Sequence, residues 1–251
     1  MNNDKFVDRF SRHSDVYAYA RPDYPNEIYR FLVEVAPSHD AVWDCATGNG
    51  QAAVVLADYF DQIYATDASE QQLQNARAHE KVKYTVATAE DSGLKSESVD
   101  LVTVATAAHW FDLDAFYGEV KRVLKPGGVL AMWAYCRFTT ENEPVNTLLQ
   151  KMGREVLKEY WDPNLDRIWE GYETWPFPFE DIEHDRWPIF TNWSRSEMLA
   201  YISTWSATNN YIAKHGVSPL AAIEEDLAKV WPDGGEKLEF STVLTSRIGR
   251  V

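Results

Sequence analysis

The sequence predicts an α/β protein of one domain, with a mostly parallel sheet covered by helices on both faces. From Ala41 onward, short apolar runs alternate with stretches of helical periodicity. Strands joined in this way need crossover connections, which pair them in parallel and place helices on both faces of the sheet. The 251 residues are 45% hydrophobic and show no linker or internal repeat, so a single core is expected.

The segment before the sheet is predicted to be helical in two parts. A first helix is expected up to about Ala18. The segment Arg21-Pro22-Asp23-Tyr24-Pro25 breaks it, because proline disfavours helical backbone at the preceding residue. In a second helix, either Asn26 is the N-cap or Pro25 lies in the first turn. Its apolar residues recur at helical spacing: Ile28, Phe31, Leu32 and Val35.

The remaining elements follow the alternation up to Tyr135 and depart from it afterwards. Seven strands are expected, at Ala41–Cys45, Gln62–Thr66, Val82–Ala87, Val99–Thr106, Gly127–Tyr135, Arg186–Trp193 and Phe240–Ile248. Further helices are expected at Gln51–Phe60, Glu70–Ala78, Asp112–Leu124, Ser194–Thr204 and Pro219–Trp231. Ser194 or Ser196 can cap the helix that follows the sixth strand. Residues 137–182 hold two helical stretches and an irregular, proline-rich segment.

Composition excludes several classes of function. The net charge of −15, with no clustered Lys and Arg, argues against a nucleic-acid partner. Cys45 and Cys136 cannot form a disulfide framework, and Cys45 is expected to be a core residue. The first residues show no apolar signal region, and no apolar stretch of membrane-spanning length occurs, so a cytoplasmic protein without membrane contact is expected. The six histidines have no metal-ligand spacing.

A small-residue loop follows the first predicted strand, at Asp44-Cys45-Ala46-Thr47-Gly48-Asn49-Gly50. Gly48 and Gly50 allow positive φ and a close approach of the backbone to a ligand. The helix behind them offers unpaired N–H groups, and loops at this edge of an open α/β sheet bind ligands. The loop also fits the G-x-G-x-x-A pattern of nicotinamide dinucleotide enzymes, so on its own it leaves both cofactor classes open.

Three carboxylates near the strand ends are predicted to contact the cofactor. Asp44 precedes the glycines, where it can accept hydrogen bonds from an ammonium group that nicotinamide dinucleotides lack. Asp67 ends the second strand, where it can accept both ribose hydroxyls of either cofactor class. Glu90 follows the third strand and is placed to contact an adenine edge.

Several segments together resemble class I S-adenosylmethionine-dependent methyltransferases. The segments are residues 44–50, Tyr64-Ala65-Thr66-Asp67-Ala68-Ser69, Thr88-Ala89-Glu90-Asp91 and Arg122-Val123-Leu124-Lys125-Pro126-Gly127-Gly128. Residues 98–102, residues 107–112, and Tyr17 with residues 21–25 are similar to the type 11 branch. That branch includes trans-aconitate methyltransferase and related small-molecule carboxyl methyltransferases. The resemblance covers about residues 10–135. It departs from the common pattern at Ala46, where a glycine is usual, and at Thr88, where many relatives carry Asp.

The resemblance implies a Rossmann-like, seven-stranded sheet with an antiparallel last strand and a helical insertion over the acceptor site. It implies S-adenosylmethionine as cofactor and S-adenosylhomocysteine as product. The implied cofactor-binding residues are Tyr17, Arg21, Asp44, Ala46, Gly48, Gly50, Asp67, Ala68, Ala89, Glu90 and Thr106. Residues 1–37 are expected to form an N-terminal helical lid and residues 38–135 the cofactor-binding core. Residues 136–182 and 194–235 are expected to form the acceptor lid, and residues 183–193 and 238–248 the last two strands.

The methyl acceptor is predicted to be a small molecule, and the predicted acceptor group is the carboxylate of a small organic acid. A carboxyl group with a pKa near ~4 is ionised at neutral pH and needs no general base. His109 is the candidate catalytic residue. It acts as a base, positions the acceptor, or caps the helix that begins near Asp112. Trp110 and Arg137 are further candidates for acceptor binding. Arg21 pairs with a carboxylate of cofactor or acceptor, or is held by Asp23 or a helix C-terminus.

Other functions remain open from the sequence. The tryptophan-rich second half also suits C-methylation of a quinone or lipid-like acceptor. A nicotinamide-dependent oxidoreductase and a cofactor-binding protein without turnover are the alternatives from other classes. The chain is expected to act as a monomer or homodimer.

Overall fold

A computed structural model describes residues 21–165, residue 168, and residues 171–232 and 236–251. Its strands are β1 Ala41–Cys45, β2 Gln62–Asp67, β3 Val82–Val86, β4 Val99–Ala105, β5 Leu124–Tyr135, β6 Glu180–Asp181, β7 Pro188–Trp193 and β8 Leu238–Arg250. Its α-helices are α1 Asn26–Val35, α2 Gln51–Leu56, α3 Glu70–Gln74, α4 Leu113–Val123, α5 Glu143–Lys151, α6 Arg195–Ser203, α7 Ser206–His215 and α8 Ala221–Val230. The predicted first helix and Tyr17 lie outside the described residues.

The sheet has the predicted α/β organisation, with the order β3-β2-β1-β4-β5-β8-β6 and with β7 paired to β8. Strands β1 to β5 pair in parallel, and β8 runs antiparallel to β5, as expected for the last strand. In the pairing of β1 with its two neighbouring strands, Asp44 lies beside Ala65 of β2 and Thr103 of β4. The loops after β1, β2 and β4 therefore leave the sheet at one edge, where ligands bind in open α/β sheets.

The described part of the chain has eight strands rather than the predicted seven. The additional strand, β6, is only two residues long and pairs with the C-terminal end of β8, at Arg250 and Gly249. A two-residue strand is too short to leave an alternating hydrophobic pattern, so periodicity cannot detect it. Strand β8 is longer than predicted because its first half pairs with β7 and its second half with β5.

Helix α7 was not predicted, although its C-terminus carries a recognisable signal. Gly216 follows His215 in the left-handed conformation, with φ 71°, and its N–H donates to the carbonyl of Ile212. This is the usual glycine C-cap. The N-terminal side gives no matching signal, because the N-cap is Trp205 and makes no side-chain capping bond.

The helix caps agree with the prediction at one end of the chain and not at the other. Ser194 caps α6 in a capping box with Glu197, as its position predicts. Asn26 is the first residue of α1 rather than its cap, and Pro25 holds the N-cap position without a side-chain bond. Helices α2 and α3 end four residues before their predicted ends, at Leu56 and Gln74.

Both faces of the sheet are covered by apolar side chains, as expected for a parallel sheet. One face packs Ile28, Leu56 and Trp133, together with residues of the C-terminal helices, into a single cluster. The opposite face packs Trp43, Phe116 and further apolar side chains of β4, α4 and the segment around residue 172. None of the helices in the described residues is long and apolar enough to cross a membrane.

Candidate active site

The loop after β1 has an unusual backbone conformation. Ala46, Gly48 and Gly50 have φ values of 52°, 57° and 80°, all in the left-handed region. The loop is tied to the second strand, because the Thr47 N–H donates to the Thr66 carbonyl at 2.9 Å. An alanine in this region costs roughly 1–2 kcal/mol relative to right-handed backbone. Ala46 therefore keeps the left-handed turn that a glycine would adopt without strain.

Asp67, at the end of β2, connects this loop to the loop after β2 through hydrogen bonds. Its carboxylate accepts hydrogen bonds from the Gly48 N–H at 2.8 Å and from the Ser69 N–H at 2.8 Å. Bonds from two backbone N–H groups orient a carboxylate strongly. Asp67 thus sets the conformation of the glycine loop from the neighbouring strand. Ala68, the residue between Asp67 and Ser69, is half-buried.

Asp44 lies beneath the loop and is only 1% exposed. One carboxylate oxygen accepts a hydrogen bond from the Thr103 hydroxyl at 2.7 Å, and the other accepts one from the Thr47 hydroxyl. Burial raises the pKa of Asp44 to about 6, although the bonds from Thr47 and Thr103 act in the opposite direction. The structure therefore holds a carboxylate of weakened acidity at the end of β1.

The acidic residues predicted at the strand ends converge around β1. Burial raises the pKa of the Cys45 thiol well above its usual value, and the negative charges of Asp44, Glu90 and Asp67 raise it further. Cys45 is a buried core residue, as expected. Glu90 accepts a hydrogen bond from the Asp112 N–H at 3.2 Å, next to the buried Ala89. This edge of the sheet consequently carries a concentrated negative field.

A narrow cavity of about 90 Å³ lies beside this edge and brings together residues that are far apart in the sequence. It is lined by the predicted site residues Arg21, Thr106, His109, Trp110 and Arg137. Eight further residues line it, of which Trp161 and Trp205 belong to the tryptophan-rich second half of the sequence: Tyr135, Cys136, Trp161, Leu165, Ile168, Tyr201, Trp205 and Ser206.

His109 is 3% exposed and lies in a short 3₁₀ turn, Ala108–Trp110, after β4. Its ring centroid is 4.5 Å from that of Trp110. The following helix, α4, is capped by Asp112, whose side chain accepts from the Ala115 N–H at 3.2 Å. Asp112 therefore fills the capping role that was suggested for His109, and His109 lines the cavity instead.

Thr106 connects the cavity to the N-terminal segment. It has a φ of 57°, which is an outlier for a β-branched residue, and its N–H donates to the Trp133 carbonyl at 2.7 Å. Its hydroxyl is hydrogen-bonded to the Tyr24 hydroxyl at 2.9 Å. Strained backbone of this kind is concentrated at functional sites, where surrounding contacts hold it in place.

Arg21 is held by a helix C-terminus, one of the two structural alternatives that its position suggested. Its guanidinium donates to the Thr204 carbonyl at the end of α6, at 3.3 Å, and to the Tyr135 hydroxyl at 3.2 Å. It also lies over the Tyr201 ring, 5.4 Å from the centroid. Asp23, the other alternative, accepts instead from Gln51. These contacts join the N-terminal segment to β5 and α6 at the cavity.

Comparisons with known proteins identify the family. The family model described as a methyltransferase domain, Methyltransf_11, matches residues 43–132. A "putative methyltransferase" of Dictyostelium discoideum is 34% identical over 239 residues, which are 93% of this chain and 91% of that protein. The chain is an S-adenosylmethionine-dependent methyltransferase. The resemblance in the sequence motifs is thus confirmed, and with it the cofactor class.

Two further similarities agree with this family. A "probable S-adenosylmethionine-dependent methyltransferase" of Saccharomyces cerevisiae is 32% identical over 172 residues, covering 62% of this methyltransferase and 58% of that protein. The solved structure of a "putative type II methyltransferase" from Anaeromyxobacter dehalogenans is 37% identical, with a TM-score of 0.83. The match covers 92% of this methyltransferase and 97% of that chain. The Rossmann-like fold class is confirmed, and the nicotinamide-dependent alternative is wrong.

The methyltransferase contains site residues that the sequence analysis missed. Thr103 donates a hydrogen bond to Asp44, and the Tyr24 hydroxyl is hydrogen-bonded to that of Thr106. Tyr135 and Tyr201 line the cavity. Tyr24 lies in the segment Arg21-Pro22-Asp23-Tyr24-Pro25, which is part of the family resemblance, so its place in that motif was a usable signal. The other residues come from separate elements, and only the tertiary fold brings them together. Among the described residues, no group of three or more His, Cys, Asp or Glu side chains could hold a metal ion.

Cofactor affinity of the methyltransferase is expected to fall below about pH 6. The pKa of Asp44 lies near 6, so acidification protonates the carboxylate that is predicted to meet the cofactor ammonium. Titration calorimetry with S-adenosylhomocysteine between pH 5 and 8 measures this dependence. Since the pKa is raised relative to the unfolded chain, the unliganded protein should also lose stability as pH rises from about 4 through 6.

The Asp44→Asn variant should bind S-adenosylhomocysteine more weakly and without this change between pH 5 and 7. Asp58→Asn, which alters an exposed residue of the same type, serves as the control and should keep the wild-type profile. A wild-type affinity that is constant over this range would show that Asp44 does not meet the ammonium group.

Proposed function

We propose that this methyltransferase transfers the methyl group to a carboxylate oxygen of a small organic acid bound in the narrow cavity. The observation that carries the proposal is the placement of two guanidinium groups, Arg21 and Arg137, around one small cavity beside His109. Guanidinium forms charge-assisted, two-pronged hydrogen bonds with carboxylates.

The cofactor is assigned to the edge of the sheet next to this cavity. The glycine loop of residues 46–50 offers backbone N–H groups, and Asp44 and Asp67 offer carboxylates for the ammonium and ribose hydroxyls. Ala68, Ala89 and Glu90 are assigned to the adenosine end, and Arg21 and Thr106 to the end nearest the acceptor. The negative field around Asp44, Asp67 and Glu90 suits a positively charged ligand. When bound, S-adenosylmethionine supplies an electrophilic methyl group on a sulfonium.

The chain's own residues then mainly orient the acceptor and exclude water. An acid acceptor is already ionised at neutral pH, so His109 is assigned to positioning it rather than to removing a proton. Trp110, whose ring packs against that of His109, and Trp161 and Trp205 give the cavity an apolar lining. Residues 136–182 and 194–235 are accordingly assigned as the acceptor lid over a core of residues 38–135.

C-methylation of an apolar acceptor is the second candidate function. It is favoured by the aromatic lining, which includes Trp110, Trp161 and Trp205. A carbon acceptor would require proton removal at some step, which would give His109 the role of general base. The two candidates therefore differ in the chemistry of the product and in the pH dependence of the rate.

The test is to incubate the protein with methyl-labelled S-adenosylmethionine and a panel of aliphatic acids, and then to treat the product with alkali. Release of the label as methanol is expected, since a methyl ester is hydrolysed under these conditions. Arg137→Gln should raise KM for the acid by about 10- to 100-fold, the scale of one hydrogen bond between charged groups. Arg30→Gln, an exposed arginine on α1, is the matched control. Label that stays bound in alkali would rule against an ester product.

A further inference from the structure

A second, larger cleft opens next to the narrow cavity. Its volume is about 790 Å³, and it shares Cys136, Arg137 and Trp161 with the narrow cavity. Trp161 is held in place at this junction, because its indole N–H donates to the Gly153 carbonyl at 2.7 Å and its ring packs 5.4 Å from that of Trp205. An acceptor held in the narrow cavity by one acid group would thus extend into the larger cleft.

The lining of this cleft is basic, although the chain as a whole has a net charge of −15. Arg137, Arg154 and Lys158 line it, and Asp162 is the acidic residue among its lining side chains. Burial lowers the pKa of Arg137, and the like charge of Arg154 lowers it further. A cleft lined by three cationic side chains and one acidic side chain favours an anionic ligand.

The chain departs from regular α-helical geometry beside the larger cleft. After α5 the chain continues as a π-helical turn, Met152–Val156, in which the Leu157 N–H donates to the Met152 carbonyl at 3.0 Å. Turns of this kind are rare and occur frequently at functional sites. Arg154 lies within the π-helical turn, and Lys158 follows four residues later in a 3₁₀ turn. Both residues line the cleft.

We propose that the acceptor carries a second anionic group and that Arg154 and Lys158 bind this group in the larger cleft. Arg137 lies between the two positions and contributes to both. The second group is a carboxylate or a phosphate, since both accept charge-assisted bonds from guanidinium and ammonium groups. The inference rests on the proposed function, because it takes the first acid group to be the methylated one. It makes this enzyme selective for dianionic over monoanionic acids.

The selectivity is tested with acids of equal chain length that differ only at the far end. Aliphatic monoacids, the matching diacids and the matching acids with a terminal phosphonate, each from four to eight carbons, are assayed for methylation. At the chain length that fits, KM for the dianion should be lower than KM for the monoacid, and 300 mM salt should reduce this difference. The phosphonate and diacid series distinguish which anionic group the cleft prefers.

Two variants test the assigned residues. Arg154→Gln and Lys158→Gln should each raise KM for the dianion by roughly fivefold, the scale of a partly exposed ion pair, and leave KM for the monoacid unchanged. Lys151→Gln, which removes an exposed positive charge from the same helix but outside the cleft lining, is the control. Equal KM values for monoacid and dianion at every chain length would overturn the inference. A preference for the dianion that persists in the double variant, which combines Arg154→Gln with Lys158→Gln, would also overturn it.

The failure of the proposed function gives a different result. If no acid is methylated, calorimetric titration of the S-adenosylhomocysteine complex with a diacid and its matching monoacid still measures the anion site. Tighter binding of the diacid that is lost in the double variant would support the anion-binding cleft. The absence of methylated acid would show at the same time that the carboxylate is not the methylated group. Equal binding of the two acids would overturn the cleft assignment as well.

Discussion

Gly50→Ala is expected to destabilise the protein by about 2–3 kcal/mol and to weaken S-adenosylhomocysteine binding by at least about tenfold. Gly50 has a φ of 80°, and a Cβ atom at this position would lie 2.1 Å from the Tyr84 hydroxyl oxygen. Tyr84 would have to move and give up its hydrogen bond to the Arg77 carbonyl, which is 2.6 Å long. Thermal unfolding measures the first effect and titration calorimetry the second.

Two further variants separate the causes of this effect. Gly93 also has a positive φ, of 69°, but an added Cβ would meet no atom within 4 Å, so Gly93→Ala carries the backbone cost alone. Gly50→Ala combined with Tyr84→Phe removes the closest clash and should recover part of the lost stability. If Gly50→Ala costs no more than Gly93→Ala, the contact with Tyr84 does not restrict this position.

Asp67→Ala is expected to weaken S-adenosylhomocysteine binding by about 1–3 kcal/mol, or roughly 5- to 150-fold. The carboxylate anchors the Gly48 and Ser69 N–H groups, both at 2.8 Å, and is also assigned to the ribose hydroxyls. Removing it frees the glycine loop and deletes the proposed ribose contact at once. Titration calorimetry with S-adenosylhomocysteine measures the loss, and Asp61→Ala, at an exposed position just before β2, is the control.

Asp67→Asn distinguishes the two roles of the carboxylate. The amide oxygen can still accept one backbone N–H, so much of the loop anchoring should survive, whereas the charged contact to ribose is lost. A thermal stability near that of the wild type combined with weak binding would identify the ribose contact as the larger contribution. Unchanged affinity in Asp67→Ala would remove Asp67 from the cofactor site.

The parts of the fold that the sequence predicts well are those with local causes. Strands β1 to β4 appear within a residue or so of their predicted limits because buried parallel strands are short apolar runs bounded by polar turns. The left-handed turn at Gly48 and Gly50 also has a local cause, since few other residues adopt it. Helix α7 was not predicted because it lacks an N-terminal capping signal. Strand β6 was not predicted because two residues are too few to form an alternating pattern.

The acceptor side of the site depends on contacts between residues that are distant in the chain. Arg21 reaches Tyr135 and Thr204, which are 114 and 183 positions away, and Tyr24 reaches Thr106 across 82 positions. Such contacts leave no periodic trace in the sequence, because each residue fits its own helix, strand or turn equally well without its partner. Arg154 and Lys158 likewise look in the sequence like ordinary solvated charges on a helix. Only the fold places them in one cleft with Arg137.

The sequence by itself determined the sheet, the glycine loop and the carboxylates at the ends of β1 and β2, and these features together with the other family motifs carry the methyl-donor assignment. Each of these depends on the order of residues within one strand–turn–helix unit, and the parallel sheet then aligns the units at a single edge. Only the tertiary structure decided the acceptor side: the cavity at His109, the anchoring of Arg21 at the end of α6, and the basic cleft beside Arg137. These features arise where the N-terminal segment, β5 and the C-terminal helices pack against one another, and packing between distant segments is set by the whole fold.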